Sequence, residues 1–153
     1  MAVMTRWLDP DEQSTWRAYL TASRVLMDTL DRELQRDAGM PHAYYEILVQ
    51  LSEAPGRQLR MSQLAQAAGS SRSRLSHAVA RLEAAGWVRR EDCPTDRRGQ
   101  IALLTDEGFA TLAAAAPGHV EGVRRHLFDA LSPAQVDQLR RISETLAEHM
   151  TGS

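Results

Sequence analysis

Two short helical segments followed at once by a strand hairpin limit the folds open to this chain more than any other part of its sequence. The first segment is predicted to begin with Ser62 as its cap and to end at a tight Gly-Ser-Ser turn over residues 69–71. The second runs to about Ala85, where Gly86 ends it. Helix, tight turn and helix in this order predict a helix-turn-helix unit.

The hairpin is predicted from alternating apolar residues and from turn residues. Residues 87–92 are typical of a strand, and Cys93–Gly99 are polar and charged, as in a turn. The returning strand covers residues 100–104, with Ile101 and Leu103 on one face. This hairpin is the predicted wing, and a short extended piece at residues 58–60 precedes the first of the two helical segments.

Helices flank this unit on both sides. Asp9 and Pro10 are predicted to open a long first helix, and the Ser-Pro-Ala-Gln sequence at residues 132–135 forms a capping box for the last one. A helical pattern also begins after Thr105 and runs past Pro117, where we expect a kink or a break. The predicted fold class is mainly α with a small β-hairpin wing, in a single domain.

The number of cysteines and the hydropathy of the chain indicate the cellular compartment in which we expect it. Cys93 is the single cysteine of the 153 residues, so one chain cannot form a disulfide. We find no stretch near the roughly 20 apolar residues of a membrane span and no signal peptide. We therefore expect a cytoplasmic protein that has no membrane partner.

Basic residues are concentrated in the predicted helix-turn-helix and hairpin. Between Gly56 and Gln100 nine arginines stand against four acidic residues, a local charge of +5 in a chain whose net charge is −2. Such a block is the pattern expected for binding a polyanion, although an ordinary solvated surface also fits.

The second helix of the predicted unit has a buried stripe and a face of short polar residues. At 100° per residue, Leu75, Ala78, Val79 and Leu82 share one sector. Small side chains on the opposite sector would let the helix enter the major groove, where Arg, Ser and His can contact base edges or phosphates. A plain amphipathic surface helix is the alternative. The opposite sector holds Ser73, Ser76, His77 and Ala80, flanked by Arg74 and Arg81.

Charged residues also occupy the hairpin tip. Arg98 at such a tip can reach a neighbouring minor groove, and Asp96 is expected to hold the Arg98 side chain in a fixed rotamer. The alternative is a solvated turn with a weak surface salt bridge. The predicted DNA-contacting residues of the wing are Asp96, Arg97, Arg98 and Gly99.

Several short motifs at fixed spacing resemble those of the MarR family of bacterial regulators. They are the run from Leu64 to Ser76, the Leu-Glu-x-x-Gly-Trp-Val element that begins at Leu82, Asp-Arg-Arg at 96–98 and Leu-Thr-x-x-Gly at 104–108. The flanking helices agree in number and order. The resemblance therefore covers nearly the whole chain.

The resemblance implies a homodimer with a winged helix-turn-helix lobe at residues 41–106 and dimerisation helices at 1–40 and 107–153. The recognition helix is then Ser71 to Ala85, and Arg98 is the minor-groove arginine. The recognition residues are Ser70, Ser71, Arg72, Ser73, Arg74, Ser76, His77 and Arg81. Exposed apolar stripes also favour a dimer. The predicted dimerisation residues are Trp7, Leu8, Trp16, Leu131, Leu139, Ile142 and Leu146.

The resemblance also implies a small aromatic or phenolic effector. The alternative is that the candidate residues are core aromatics with satisfied polar tips. The candidates are Trp16, Tyr19, His42, Tyr44 and Tyr45. The first helix lacks the cysteine of oxidant-sensing relatives, and we expect Arg89 or Arg90 to give Cys93 no more than chance activation.

No metal site, cofactor or catalytic residue is predicted. The five histidines are scattered, and the chain has no phosphate-binding glycine loop, nucleophile elbow or His-Glu-x-x-His motif. We therefore predict a sequence-specific regulator of transcription, not an enzyme. It would be a repressor that binds an inverted repeat of double-stranded DNA and is released by an effector. The alternatives are a winged-helix module for protein interaction and a redox-responsive regulator acting through Cys93.

Overall fold

A computed structural model describes residues Met4–Gly152, apart from the side chain of Arg97. The predicted fold class, mainly α with a small β-hairpin wing, is confirmed, and a third strand joins the hairpin in one sheet. The elements are α1 (Pro10–Ala38), α2 (His42–Glu53), β1 (Gln58–Arg60), α3 (Met61–Ala67), α4 (Arg72–Ala84), β2 (Val88–Cys93), β3 (Asp96–Leu104), α5 (Asp106–Val123) and α6 (Pro133–Thr151). None of the helices in this range is both long and apolar enough to cross a bilayer.

Side-chain caps fix the starts of the first and last helices. Asp9 Oδ1 accepts from the Glu12 N–H at 2.8 Å, and the Asp9 N–H donates to Glu12 Oε2 at 3.0 Å. Ser132 and Gln135 make the same reciprocal pair at α6. The two predicted helix starts are confirmed, because each pair satisfies two N–H groups that a helix leaves free.

The start of α3 differs from the prediction. Arg60, not Ser62, is the cap residue, and its N–H donates to Gln63 Oε1 at 3.2 Å. Ser62 lies inside the first turn of the helix. The helix starts earlier because Arg60 ends β1 in an extended conformation, so the chain passes directly from strand to helix.

The sheet is antiparallel with the order β1-β3-β2. Its hairpin is longer than predicted: β3 begins at Asp96, and the turn contains only Pro94 and Thr95. The predicted polar turn over Cys93–Gly99 was therefore wrong. Pairing Cys93 with Asp96 extends the ladder past an irregularity after Asp92. Exposed strand residues can be charged on both faces, so alternation did not reveal this part of β3.

Pro117 does not break the helix in which it lies. The sequence predicts a kink or a break there, but α5 continues across Pro117 to Val123. A proline removes one helical hydrogen bond, and neighbouring buried residues such as Leu112 and Ala115 still pack in the core. A π-helical segment, Arg124–Phe128, follows directly.

The chain divides into two compact units. One, here called the helical unit, contains the described residues of Met1–Leu30 and Val123–Ser153. The other, the lobe, is Asp31–Gly122 and contains the sheet. The lobe has one apolar core to which α2, α3, α4, the sheet and α5 contribute. Its most buried members are Met40, Leu48, Leu51, Leu64, Leu75, Val79 and Leu82.

Three contacts join the hairpin to α5 inside the lobe. Thr105 Oγ1 donates to the Gly86 carbonyl at 2.7 Å and accepts from the Gly108 N–H at 3.0 Å. A Cβ placed on Gly108 would lie 2.0 Å from the Trp87 carbonyl oxygen. The Leu-Thr-x-x-Gly motif therefore has a structural reason: α5 approaches the Trp87 backbone more closely than any side chain allows.

The helical unit leaves large apolar side chains in contact with solvent. Trp7 is 86% exposed and Ile142 57% exposed, and α6 has no buried residue. The other predicted dimerisation residues Leu8, Trp16, Leu139 and Leu146 are also exposed, whereas Leu131 is half-buried. Assignment of residues 1–40 and 107–153 to a dimer interface stays a prediction.

Candidate nucleic-acid interface

Helix α4 presents the predicted polar face to solvent. Leu75, Val79 and Leu82 are at most 2% exposed and lie in the lobe core. Ala78 is half-buried, at the edge of this stripe. The other side carries three arginines and short polar groups within three turns of helix. The exposed recognition residues are Ser71, Arg72, Ser73, Arg74, Ser76, His77 and Arg81, whereas Ser70 is half-buried.

The turn before α4 is built from local hydrogen bonds. Gly69 adopts a φ of 59°, which the turn requires, and the Ser70 N–H donates to the Ala65 carbonyl at 2.9 Å. Ser71 Oγ then accepts from the Arg74 N–H at 3.2 Å as the α4 cap. Ser71 therefore fixes where the helix begins, in addition to lying on the exposed face.

Asp96 organises the backbone of the wing. Its Oδ1 accepts from the Arg98 N–H at 3.0 Å, and the ion pairs seen among described residues do not join it to the Arg98 guanidinium. The expectation that Asp96 holds the Arg98 side chain was wrong for this structure. The short carboxylate reaches the N–H two residues ahead, which is the geometry of an Asx turn. The Arg97 side chain lies outside the described part.

A groove of about 350 Å³ separates α4 from the wing, and we call it the wing groove. Among the described side chains that line it are Arg60, Arg72 and Arg98 and one carboxylate, Asp96, so the charges of these described side chains sum to +2. The remaining lining residues are Met61, Ser62, Leu75, Ser76, Gly99 and Gln100. The sequence predictions for α4 and for the wing therefore meet at one surface of the lobe.

An ion pair that sequence reasoning missed ties α4 to the wing. Arg90 Nε donates to Glu83 Oε1 at 2.6 Å, with both side chains only a quarter to a third exposed. Glu83 lies on α4 and Arg90 on β2. A long-range pair such as this has no local signal, because the seven-residue separation spans a helix end, a turn and a strand.

Cys93 is buried at the base of the wing, and its neighbours differ from those expected. Its Sγ lies 3.4 Å from Thr95 Oγ1, which also accepts from Arg60 Nη2 at 3.0 Å. Hydrogen bonding from Thr95 lowers the pKa of the Cys93 thiol, with a smaller contribution from the charge of Arg60. The arginine that contributes is Arg60 of β1, which was not expected from the sequence as a neighbour of Cys93.

The five candidate effector residues fall in different units. Trp16 and Tyr19 belong to the helical unit, where their rings stack with centroids 6.3 Å apart and about half of each side chain is exposed. They line a shallow pocket of about 440 Å³ on α1. His42, Tyr44 and Tyr45 belong to the lobe.

The lobe contains a ring cluster with one member that the sequence did not indicate. His119 lies 4.4 Å from Tyr45 and 5.3 Å from His42 between ring centroids. Burial lowers the pKa of His119 and raises that of Tyr45. The signal that could have found His119 is its helical spacing from Leu112 and Ala115, which places it on the buried face of α5.

Metal-binding groups are not assembled in the described part. Residues Met4–Gly152 contain no cluster of three or more His, Cys, Asp or Glu side chains that could hold a metal ion. The ring beside both His42 and His119 is that of Tyr45, which is not among these metal-binding residue types.

Comparison with known proteins identifies a set of regulators. A sequence model of a protein family, described as MarR family, matches residues 38–99 of this chain. The chain is 59% identical to Sco3205 of Streptomyces coelicolor, a MarR family transcriptional regulator solved in complex with DNA, with a TM-score of 0.92 over 95% of this chain and 91% of that one. It is 46% identical to AbsC of the same organism, with a TM-score of 0.91 over 97% and 100%.

Curated relatives are more distant. The transcriptional repressor MprA of Escherichia coli is 29% identical over 112 residues, which are 73% of this chain and 63% of MprA. The regulator PecS of Dickeya dadantii is 36% identical over 95 residues, which are 60% of this chain and 55% of PecS. The chain thus spans about three fifths of the length of these curated relatives.

Proposed function

The chain belongs to the MarR family of transcriptional regulators, and from this premise we propose that it binds duplex DNA sequence-specifically as a homodimer. The observation that carries the proposal is the shared surface of α4 and the wing, where exposed arginines border one groove. The similarity to a regulator crystallised with DNA supports it. The matched proteins that we describe are named as regulators, not as enzymes.

In this proposal α4 enters the major groove. Arg74, His77 and Arg81 are long enough to reach base edges, and the small side chains between them allow a close approach. Arg98 extends from the wing into the neighbouring minor groove, where a narrow groove attracts arginine. Ser70, Ser71, Arg72, Ser73 and Ser76 contact the sugar-phosphate backbone.

The exposed apolar side chains of the helical unit support the homodimer. Trp7, Trp16 and Ile142 are at least half exposed, and we propose that a second copy covers them. A two-fold dimer presents two α4 helices, so its operator is an inverted repeat with half-sites about one helical turn, roughly 10 bp, apart.

Repression and effector release complete the proposal. A dimer seated on a promoter competes with polymerase, and the name of the MprA relative is consistent with repression. Two separate groups are the proposed contacts for a small aromatic effector in the cytoplasm. One is the stacked pair Trp16 and Tyr19 of the helical unit, and the other is His42, Tyr44 and Tyr45 of the lobe. Effector binding would lower DNA affinity by favouring an arrangement of the proposed dimer in which its two α4 helices no longer match the two half-sites.

Selection from a randomised duplex pool tests the proposal. The purified protein should retain an inverted repeat, and its affinity should fall steeply from 50 to 200 mM salt. His77→Ala and Arg74→Ala should change the preferred half-site, whereas Arg141→Ala in the helical unit should leave it unchanged. Retention of no common sequence, or affinity that ignores salt, would favour a module for protein interaction.

A further inference from the structure

Arg60 stands outside the residues proposed above to contact DNA, yet it lines the wing groove with Arg72 and Arg98. Its backbone is fixed twice: β1 pairs it with Ile101 of β3, and its N–H donates to Gln63 Oε1. Its side chain extends to the hairpin turn, where Nη2 donates to Thr95 Oγ1 at 3.0 Å. Arg60 is therefore held at the groove by both its main chain and its guanidinium.

The groove has the composition of an anion site. The described part of its lining contains three guanidinium groups and one carboxylate, and that carboxylate, Asp96, already accepts a hydrogen bond from the Arg98 N–H. A guanidinium presents several N–H donors in one plane, so Arg60 can keep its bond to Thr95 and still donate to an oxyanion. Ser62 and Ser76 add hydroxyl groups to the same lining.

The position of the groove identifies the anion. A helix in the major groove and a wing in the adjacent minor groove are separated by one sugar-phosphate strand. The wing groove lies between α4 and the wing, so this strand must cross it. Building on the proposed function, we propose that the wing groove is a phosphate cradle in which Arg60 and Arg72 bind one backbone phosphodiester of the duplex and Thr95 positions Arg60.

The cradle differs in kind from the base contacts proposed for Arg74, His77 and Arg81. A phosphate carries no base identity, so the cradle raises affinity for every duplex and fixes the register of the lobe. Thr95 acts through Arg60 because its hydroxyl is shared: it accepts from Arg60 and lies 3.4 Å from Cys93 Sγ. Losing that hydroxyl frees the guanidinium to leave the groove.

Salt-dependent binding of Arg60→Gln tests the cradle. Duplexes of randomised sequence and duplexes selected by the wild-type protein are titrated between 50 and 200 mM salt. The variant should lose affinity about tenfold on both, and its slope of log affinity against log salt should shrink by about 2 for a dimer. The matched control is Arg57→Gln, which removes the same charge from a guanidinium that lies 3.7 Å over the Phe109 ring.

Thr95 variants test the positioning role. Thr95→Val should reproduce about a third of the Arg60→Gln loss on a logarithmic scale, and Thr95→Ser should restore wild-type affinity because it keeps the hydroxyl. Adding Thr95→Val to Arg60→Gln should cause no further loss, since Thr95 acts only through Arg60.

Four results would overturn the cradle, and they differ from one another. A wild-type salt slope in Arg60→Gln removes the cradle but leaves the proposed function intact. A loss confined to the selected duplex means that Arg60 reads bases. If Arg57→Gln loses as much DNA affinity as Arg60→Gln, and the melting temperatures of both variants fall equally, the role of Arg60 is merely structural. A wild-type protein that binds neither duplex overturns the proposed function and the cradle together.

Discussion

The lobe and the helical unit treat their apolar side chains in opposite ways. In the lobe, Leu48, Leu64 and Val79 are completely buried and belong to one core. In the helical unit, Trp7 and Ile142 expose most of their surface. The difference teaches that the lobe is stabilised by contacts within itself, whereas the apolar surface of the helical unit requires a partner to leave water.

Good local helix signals do not distinguish the two units. Helix α6 has a complete capping box, a proline at its first position and Gly152 with a φ of 70° at its end, yet none of its residues is buried. Helix α4 has a single serine cap and buries Leu75, Val79 and Leu82. Capping decides where a helix begins and ends, while burial depends on what lies beside it.

The largest effect is expected from adding a side-chain carbon where Gly108 of α5 approaches the Trp87 backbone. Gly108→Ala should lower the free energy of unfolding by about 3 kcal/mol, because its Cβ would lie 2.0 Å from the Trp87 carbonyl oxygen. Thermal unfolding measures this loss. The control is Gly118→Ala on the same helix, where an added Cβ meets nothing within 4 Å and stability should be kept or raised. Equal loss in both variants would contradict the proposed contact.

A charge introduced among the exposed apolar residues of α6 should weaken association of two copies and leave the stability of the lobe unchanged. Ile142→Glu should weaken the proposed dimer by about 2 kcal/mol for each copy, the value of burying one large apolar side chain. Sedimentation should show monomers at concentrations where the wild type is dimeric. Gln138→Glu adds the same charge to α6 without removing an apolar group and should remain dimeric. A wild-type protein that is monomeric throughout would remove the basis of the comparison.

Removing the wing arginine should affect DNA binding without affecting stability. Arg98→Ala should reduce affinity for duplexes with A·T-rich flanks about tenfold, or about 1.4 kcal/mol, because one minor-groove contact is lost. Melting should be unchanged, since Asp96 accepts from the backbone N–H of residue 98, which alanine retains. Arg141→Ala, in an ion pair with Asp137 of the helical unit, is the matched loss of charge and should bind normally.

The smallest effect is a pH dependence that belongs to the lobe. Burial lowers the pKa of His119, a charge on His42 lowers it further, and Glu46 and Glu33 oppose the shift. The fold therefore favours the neutral ring beside Tyr45. The stability that this ring contributes is fully present above its unfolded pKa of 6.5 and is lost as pH falls through the lower folded pKa.

Unfolding measured from pH 8 to pH 5 tests this dependence. His119→Phe keeps a ring beside Tyr45 but cannot titrate, so its stability should fall less between these values than that of the wild type. His149→Gln, at the exposed end of α6, should follow the wild-type curve. If His119→Phe has the wild-type slope, His119 is not the group responsible.

Periodicity and punctuation were enough to predict the helices and the buried stripe of α4. Leu75, Val79 and Leu82 recur at helical spacing, and Gly86 ends the segment with a φ of 81°. Such signals succeed because caps, left-handed glycines and apolar spacing act over three or four residues. The same signals failed at Ser62 and at the hairpin turn, where strand pairing moved both boundaries.

Residues far apart in sequence were the ones that only folding could bring together. Arg60 reaches Thr95 across 35 positions, and His119 meets His42 across 77. The motifs around Leu64–Ser76 and Leu104–Gly108 indicated the family, but they carried no information on which arginine would face the wing groove. That choice follows from the order β1-β3-β2, which sets β1 beside the hairpin.

By itself, the sequence determined the local elements, the basic face of α4 and the charged wing, because each depends on neighbours within a few residues. The tertiary structure decided which charges converge, with Arg60, Arg72 and Arg98 around one groove and with Arg60 and Cys93 both in contact with Thr95. The reason is physical: electrostatic and hydrogen-bonding partners are selected by distance in space, and packing of the lobe core sets that distance.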